Sequence, residues 1–483
     1  MLSQLEIIKK ASILIEKKNY AKAKDILLEY LRKTKNIKID IKFYYTMYLA
    51  HDGLKEIQEA KKNLEKCLKI NEKNYVVLNN LANIFLKEGN IHKAESLYLR
   101  SFNIKNDYLL VIVNLAILYQ NTGKLESSKE FYLKAIKLSP ERISIYFNLS
   151  RIDKNFMNEE KIKHISSLMK KEKQELSELS YGYFLLAEHQ KKKKNFTEEI
   201  NYLKKANQNS FNSKKAINSK TLNYWKNIIT KKYNNFQFIN EDQKTELKNF
   251  NPIFIIGLPR SGSTITEALL SSASGNITSL GEASIFNGII AQGFSNEKEP
   301  SVDLNFVQKK ILEVFNNKKY NKKNNIFIDK SLENFFYIDV ILKVYPKAKF
   351  INTLRNIEDN IFAIFKQSLS KISWTHSVEN ILDYVDNYFK VTNYFIKKYP
   401  DKILSIHLED LTNNTEETSK KLFSFCDLEW SDKVLNFYQR ENLLISTASN
   451  IQIRGNIKKY DKEKYKPYKS LLENFLSKYD WLN

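Results

Sequence analysis

The sequence predicts two joined architectures: an N-terminal all-α solenoid of short helical repeats and a C-terminal α/β domain with a mainly parallel sheet. Three observations carry this. A 34-residue period recurs in the first part of the chain, with glycine at one register and small residues at others. The composition changes sharply at Pro252, where short apolar runs begin to alternate with amphipathic stretches. A glycine-bearing loop leaves the first of those runs, where open parallel sheets place their ligand loops. The chain has 483 residues, more than one ordinary core accommodates. The expected division is 1–210 for the repeats, 211–250 for a last helix and connector, and 251–483 for the α/β domain.

The repeats come first because they set the fold of half the chain. Gly89 in NIFLKEGNIHKAESLYLRSF aligns with Gly123 in AILYQNTGKLESSKEFYLKAI, 34 residues on. Ala94, Tyr98 and Ser101 then align with Ser128, Tyr132 and Ala135, and one period earlier stand Ala60, Leu64 and Cys67. Glycine ends the first helix of each pair by taking a positive φ, and small residues let the paired helices approach. This is the tetratricopeptide pattern. Ala23, Leu27 and Tyr30 suggest a divergent first repeat, and Glu199, Leu203 and Ala206 one near the end. Between Asn148 and Leu179 the register is poor, although the segment reads as helical. A generic helical bundle is the plainer alternative. Arrays of this kind present concave surfaces that take a peptide or partner protein.

Composition narrows the function classes. The formal net charge is +23, with 42% hydrophobic and 13% aromatic residues, which suits a globular chain. The cations are nearly all Lys, and Asn and Ile are abundant, so the charge reads mainly as compositional background that still attracts anions. No Arg-rich or Lys/aromatic motif argues for nucleic acid specifically. Cys67 and Cys426 lie far apart, which indicates neither a zinc site nor a disulfide framework. Residues 1–10 show no basic segment before an apolar core, and the most apolar stretch, Tyr108 to Tyr119, is too short for a membrane span. A cytoplasmic protein is the expectation. No His/Cys/carboxylate spacing suggests a metal.

The most informative stretch is PIFIIGLPRSGSTITEALLSSAS. Phe254 to Ile256 reads as a buried strand, Gly257 to Gly262 as a loop, and Ser263 as the start of a helix. Such a unit collects backbone N–H groups and a helix dipole on one anion. The spacing is that of a Walker A loop, but Ser263 stands where its Lys belongs. That argues against a kinase or ATPase, and Arg260 supplies a cation earlier in the loop. A glycine/serine loop without a ligand is the bland alternative. GLPRSGST resembles the 5′-phosphosulfate loop of sulfotransferases, written Pro-Arg-Ser-Gly-[Ser/Thr]-Thr. The chain is similar to tyrosylprotein sulfotransferases and, more closely, to bacterial proteins that join tetratricopeptide repeats to a sulfotransferase domain. The resemblance implies a P-loop-like fold that binds 3′-phosphoadenosine 5′-phosphosulfate (PAPS) through Pro259, Arg260, Ser261, Gly262, Ser263 and Thr264, with no metal.

Further segments extend it. In SLGEASIF, Glu282 matches the family's catalytic base, a role a carboxylate beside an anion site can fill; a capping or salt-bridged Glu is the alternative. In NIFIDKSLENF, a strand over Ile326 to Ile328 ends in Asp329-Lys330, and the family pattern Asp-Lys-x-Pro-x-Asn makes Lys330 a stabiliser of the transferred group. Leu332 replaces the Pro. In KAKFINTLRNIEDNIFAIFKQ, Arg355 at a strand end matches the 3′-phosphate Arg, a bidentate phosphate grip. Ile357 replaces a Pro there, and Ala363 stands where a Ser often completes the site. In ILSIHLEDL, Leu408 takes the place of a Tyr, while Glu409 and Asp410 either order the next loop or cap a turn. ISTASNIQIRGNIKKY resembles Thr-Ala-Ser-x-x-Gln-Val-Arg, which implies roles for Ser449 on the transferred group and Arg454 beside the nucleotide.

The expected function is in-line transfer of a sulfuryl group from PAPS to a hydroxyl on protein tyrosine, a glycan or a metabolite. Glu282 acts as base, with Arg260, Lys330 and Ser449 around the transferred group and Arg355 and Arg454 on the nucleotide. The first alternative is a repeat-based adaptor whose transferase domain has degenerated, which Ile357, Ala363 and Leu408 favour. Another is a different repeat-linked transferase, such as a glycosyltransferase.

Overall fold

The computed structural model describes residues 2–34, 38–240, 246–273, 277–293, 301–317, 325–439, 455 and 457–482. Two compact units emerge. One comprises Met1–Gln120, Lys124–Pro140 and Glu313–Tyr320, and the other Asn121–Gly123, Glu141–Leu312 and Asn321–Asn483.

The first unit is helical. Helices Gln4–Glu16 and Tyr20–Lys33 pair, as do Ile41–Gly53 with Ile57–Ile70 and Tyr75–Lys87 with Ile91–Ile104. Helices Leu109–Thr122 and Leu125–Leu138 meet through the Ser128 hydroxyl, which donates to the Ala116 carbonyl at 2.7 Å. Each pair turns on one left-handed residue. Gly89 and Gly123 have φ of +79° and +84°, as the 34-residue period predicts. The flanking turns take the same form without glycine: Lys18, Lys55 and Lys194 have φ of +58°, +63° and +58°. At Gly89 the amide donates to Leu86 and the next amide, of Asn90, to Phe85; the amides of Lys18 and Asn19 reach Ile15 and Leu14, and those of Lys194 and Asn195 reach Lys191 and Gln190. This is a Schellman closure. Asn19, Asn90 and Asn195 then cap the following helix through their side chains. Five residues past the turn stand Ala23, Ala60, Ala94 and Ser128, all buried, and seven residues before it Ala11, Ala82, Ala116 and Ala187.

The second unit begins with helices Ile143–Ile152, Glu159–Met169, Leu176–Lys192, Phe196–Asn212 and Lys215–Asn223. The longer connection at 153–158 accounts for the lost register after Asn148. A parallel sheet follows. In chain order its strands are β2 (Ile253–Gly257), β3 (Thr278–Ser279), β5 (Phe327–Asp329), β6 (Lys349–Leu354) and β7 (Ile403–His407), lying in the order β3-β5-β2-β6-β7. All four pairings are parallel. β2 is buried along its whole length, as a central parallel strand covered on both faces must be. A separate two-stranded ribbon joins β1 (Gln237–Ile239) to β4 (Ser301–Asp303). β1 lies in the stretch expected to hold only a helix and connector, and three residues are too few for an alternation to be read.

Where the other repeats have Ala or Ser, the pair turning on Lys194 has Glu199, 1% exposed. Its carboxylate meets Lys366 Nζ at 2.7 Å and accepts from the Tyr468 hydroxyl at 2.8 Å. Lys366 also bonds the Tyr468 hydroxyl and lies over that ring. Burial pulls the Lys366 ammonium down to about 8, against the upward pull of Glu199.

Two stability predictions follow from these features. A Cβ at Gly89 would meet nothing within 4 Å, so Gly89→Ala costs only its backbone strain, about 1 kcal/mol in denaturant unfolding, whereas Lys55→Gly gains up to a similar amount. Lys366→Met leaves the buried Glu199 carboxylate unpaired and costs about 3–5 kcal/mol, and adding Glu199→Gln restores more than half of that loss.

Candidate functional site

The site is assembled where β2 ends. Its backbone bends through three left-handed residues: Gly257 at φ +136°, Arg260 at +70° and Gly262 at +99°. Only Arg260 carries a side chain, at a steric cost of roughly 1–2 kcal/mol. A Cβ on Gly257 would stand 2.6 Å from the Thr353 carbonyl oxygen of the adjoining β6, and one on Gly262 would stand 3.0 Å from Leu408 Cδ1. Leu408 therefore packs against the loop at the place the family gives a Tyr. The Ser261 hydroxyl points inward, donating to the Leu258 carbonyl at 2.7 Å and lying 2.7 Å from the Thr353 hydroxyl. Asn360 Nδ2 holds the Pro259 carbonyl at 2.8 Å. Ser263 and Thr264 then open the helix Ser263–Leu270. The loop is thus braced from behind, which leaves its peptide groups fixed in front of a helix N-terminus.

Two cations stand at the ends of the strands on either side of β2. Lys330 follows β5 directly, and its amide donates to the Gly281 carbonyl at 3.0 Å. Its side chain is 1% exposed and its ammonium donates to Glu282 Oε1 at 2.8 Å, while Glu282 itself is 59% exposed. Glu267, on the loop helix, places Oε2 3.6 Å from the same ammonium. Arg355 follows β6. Its Nη1 donates to the Arg260 carbonyl at 3.3 Å, and its guanidinium lies over the rings of Tyr460 and Tyr465 at 5.4 and 5.1 Å. The Tyr460 hydroxyl donates to Asp359. Burial holds the Arg260 guanidinium below its usual range, with Tyr465 pulling up and Arg355 pushing further down. Glu409 accepts from the Asn356 amide at 2.7 Å and so fixes the turn after Arg355.

The structure therefore brings Glu282 into contact with Lys330, and Arg355 into contact with the loop of Pro259, Arg260, Ser261, Gly262, Ser263 and Thr264. Ser449 and Arg454 lie outside the described residues. Sequence reasoning missed Thr353, Asn360, Glu267, Tyr460 and Tyr465. Each acts through a contact distant in sequence, and although Glu267, Thr353, Asn360 and Tyr460 lie within the segments quoted above, the family patterns specify none of these positions. Among the described residues, no group of three or more His, Cys, Asp or Glu could hold a metal ion, and no helix is long and apolar enough to cross a membrane.

The helical unit has a groove of about 340 Å³ with a mixed lining, polar at Tyr48, Asp52, Asn80, Asn83 and Lys87 and apolar at Ile84 and Leu86. Asn80 donates to the Tyr45 hydroxyl at 3.0 Å, and Asn114 to Asn79 Oδ1 at 2.9 Å, so polar side chains about one repeat apart are bonded to one another.

Comparisons with known proteins match separate stretches of the chain to two families. Residues 252–432 match the sulfotransferase family, and residues 41–74 and 111–142 match the tetratricopeptide repeat. The chain thus carries a sulfotransferase-family domain and tetratricopeptide repeats. An uncharacterized protein of Aquifex aeolicus is 27% identical over 238 residues, which is 46% of this chain but only 31% of that protein. The sulfotransferase domain of the Synechococcus PCC 7002 olefin synthase is 19% identical, with 46% of this chain and 90% of that one covered at a TM-score of 0.35. A tetratricopeptide repeat protein from Parabacteroides merdae is 14% identical, covering 48% and 93%, at a TM-score of 0.35. The family matches, not these distant folds, identify the two parts.

Gly257→Ala tests how tightly the loop is seated. The new methyl must displace β6 backbone, so the expected loss is about 2 kcal/mol or more in thermal or denaturant unfolding. Gly281→Ala, at φ +63° with nothing within 4 Å of a Cβ, costs only about 1 kcal/mol.

Proposed function

We propose that the sulfotransferase-family domain transfers a sulfuryl group from PAPS to a hydroxyl-bearing acceptor. The observation that carries this reading is the pairing of a braced, left-handed loop with two strand-end cations, Lys330 and Arg355. A nucleotide with phosphates at both the 5′ and 3′ positions has the charge distribution that such a pair suits. The loop backbone from Gly257 to Thr264 would take the 5′-phosphosulfate. Arg355 would take the 3′-phosphate by a two-pronged grip. An anion between Arg260 and Arg355 would also relieve their mutual repulsion.

The reaction is then a displacement at sulfur. The acceptor oxygen bonds to sulfur as the bond from sulfur to the 5′-phosphate oxygen breaks. The acceptor proton passes to the Glu282 carboxylate. The leaving oxygen gains negative charge, which Lys330 and Arg260 offset in a setting where fixed charges act strongly. In the present arrangement Glu282 and Lys330 neutralise one another. An incoming anion would claim the ammonium and free the exposed carboxylate for the acceptor. The repeat array and its groove of mixed lining suit a peptide or protein, and we assign it the role of holding an acceptor-bearing or regulatory partner.

Calorimetric titration with adenosine 3′,5′-bisphosphate, beside ATP as control, tests the nucleotide site. Selective binding is expected, with Arg355→Ala weakening it by at least about tenfold, corresponding to the 1.5–3 kcal/mol of a charge-assisted contact. Glu282→Gln should leave that binding within about threefold and lower turnover by roughly 10²–10⁴. Absence of binding at high protein concentration would instead favour an adaptor with a degenerate transferase domain.

A further inference from the structure

The loop helix carries a carboxylate that the proposed reaction does not use. Glu267 lies one turn into Ser263–Leu270 and is 17% exposed. Its Oε1 accepts from the Ser279 hydroxyl at 2.5 Å. The Ser279 oxygen in turn accepts from the Gly281 amide at 3.0 Å, and the Gly281 carbonyl accepts from the Lys330 amide at 3.0 Å. Its Oε2 faces the Lys330 ammonium. One side chain therefore links the loop helix, the turn that carries Glu282, and the end of β5.

Lys330 makes that link consequential. A buried ammonium keeps its proton only with an anion at hand. Two carboxylates face it, Glu282 and Glu267, while the neighbouring Asp329 and Glu333 are engaged elsewhere. Asp329 accepts from the Ser331 amide at 2.8 Å, and Glu333 accepts from the Ser284 hydroxyl at 2.6 Å. Glu282 is nearer but open to solvent, whereas Glu267 is farther but sheltered, so its field is less screened. Burial draws the Lys330 pKa down, and Glu267, then Glu282, outweigh it, leaving a net rise.

We infer that Glu267 is a positioning residue that keeps Lys330 charged and in place when Glu282 leaves it to take the acceptor proton. The inference rests on the reaction proposed above for the role of Glu282. Once Glu282 turns to the acceptor, Glu267 is the carboxylate of the chain that still faces the ammonium, beside the anion that has bound there. With Glu267 behind it, Lys330 stays cationic through the displacement, and the turn bearing Glu282 stays anchored through Ser279.

Acetylation of Lys330 by acetic anhydride, followed against pH by peptide mass spectrometry in the full chain, reads the lysine's titration without requiring any turnover. Glu267→Gln is expected to move the midpoint down by about one pH unit or more. Glu267→Asp should fall between that variant and the unaltered chain, and Glu282→Gln should shift it less than Glu267→Gln does. An unchanged midpoint in a folded Glu267→Gln chain, or a larger shift from Glu282→Gln, overturns the inference. Should Glu267→Gln fail to fold, Glu267→Asp decides: a lower midpoint supports the role and an unchanged one overturns it. If sulfuryl transfer is measurable, the alkaline limb of its pH profile moves down with the labelling midpoint. A labelling shift in a chain that transfers no sulfuryl group overturns the reaction while leaving the hold of Glu267 on Lys330 intact.

Discussion

The near-contact between Gly257 and β6 is the constraint on which the sulfotransferase-family domain is built. At φ +136° the last residue of β2 would aim a side chain into the backbone of β6, so the strand must end in a residue without one. From there the chain turns left-handed twice more before the helix begins, and the loop is braced from β6 and from the helix Ile357–Phe365 that follows it. Thr353 holds Ser261, and Asn360, one turn past Arg355, holds Pro259. Loop geometry and cation placement are consequently one problem. The same β6 that denies Gly257 a side chain delivers Arg355 to the loop, and the helix that follows Gly262 delivers Glu267 to Lys330.

Charge is handled differently on the surface and inside. A net charge of +23 spread over many lysines says little about any one of them. The informative cations are those the fold has taken out of water. Lys330 and Lys366 are each buried beside a sheltered carboxylate, Glu267 in one case and Glu199 in the other. Their protonation moves in opposite directions, upward for Lys330 with two acids nearby and downward for Lys366 with one at contact. At Lys330 the two acids outweigh burial, and at Lys366 burial outweighs the acid at contact.

Much of this was legible in the residues. Gly89 and Gly123 disclosed the helical period because glycine marks a left-handed turn, and the alternation after Pro252 disclosed the parallel sheet. The turns at Lys18, Lys55 and Lys194 were not legible as turns, since lysine carries no preference for that conformation; the small residues Ala23 and Ala60, five positions on, betrayed the first two, and Leu203 and Ala206 the third. The loop, Glu282, Lys330 and Arg355 were singled out by pattern, and the fold sets Glu282 against Lys330 and Arg355 against the loop. Glu267 was not, because in a chain with 55 acidic residues a glutamate on a helix looks like a solvated one. Its partner is 63 positions away, and no local signal encodes that distance. The braces Thr353 and Asn360 escaped for the same reason. The ribbon of β1 and β4 escaped because its strands are too short to show a period.

The Glu199 ion pair bears on how such a chain could have been put together. The family match begins at residue 252, yet Lys366 and Tyr468 meet their acid at residue 199. A fragment starting at Pro252 would hold an ammonium and a phenol shaped around a carboxylate it does not possess. A fusion that attached some other repeat array at this seam would inherit the same vacancy. It would be accepted only if the incoming helix brought an acid at the register where its siblings carry alanine. Residue 199 lies in neither family match, so the unit that carries the sulfotransferase-family domain reaches back beyond residue 252 and holds an acid that the match does not include.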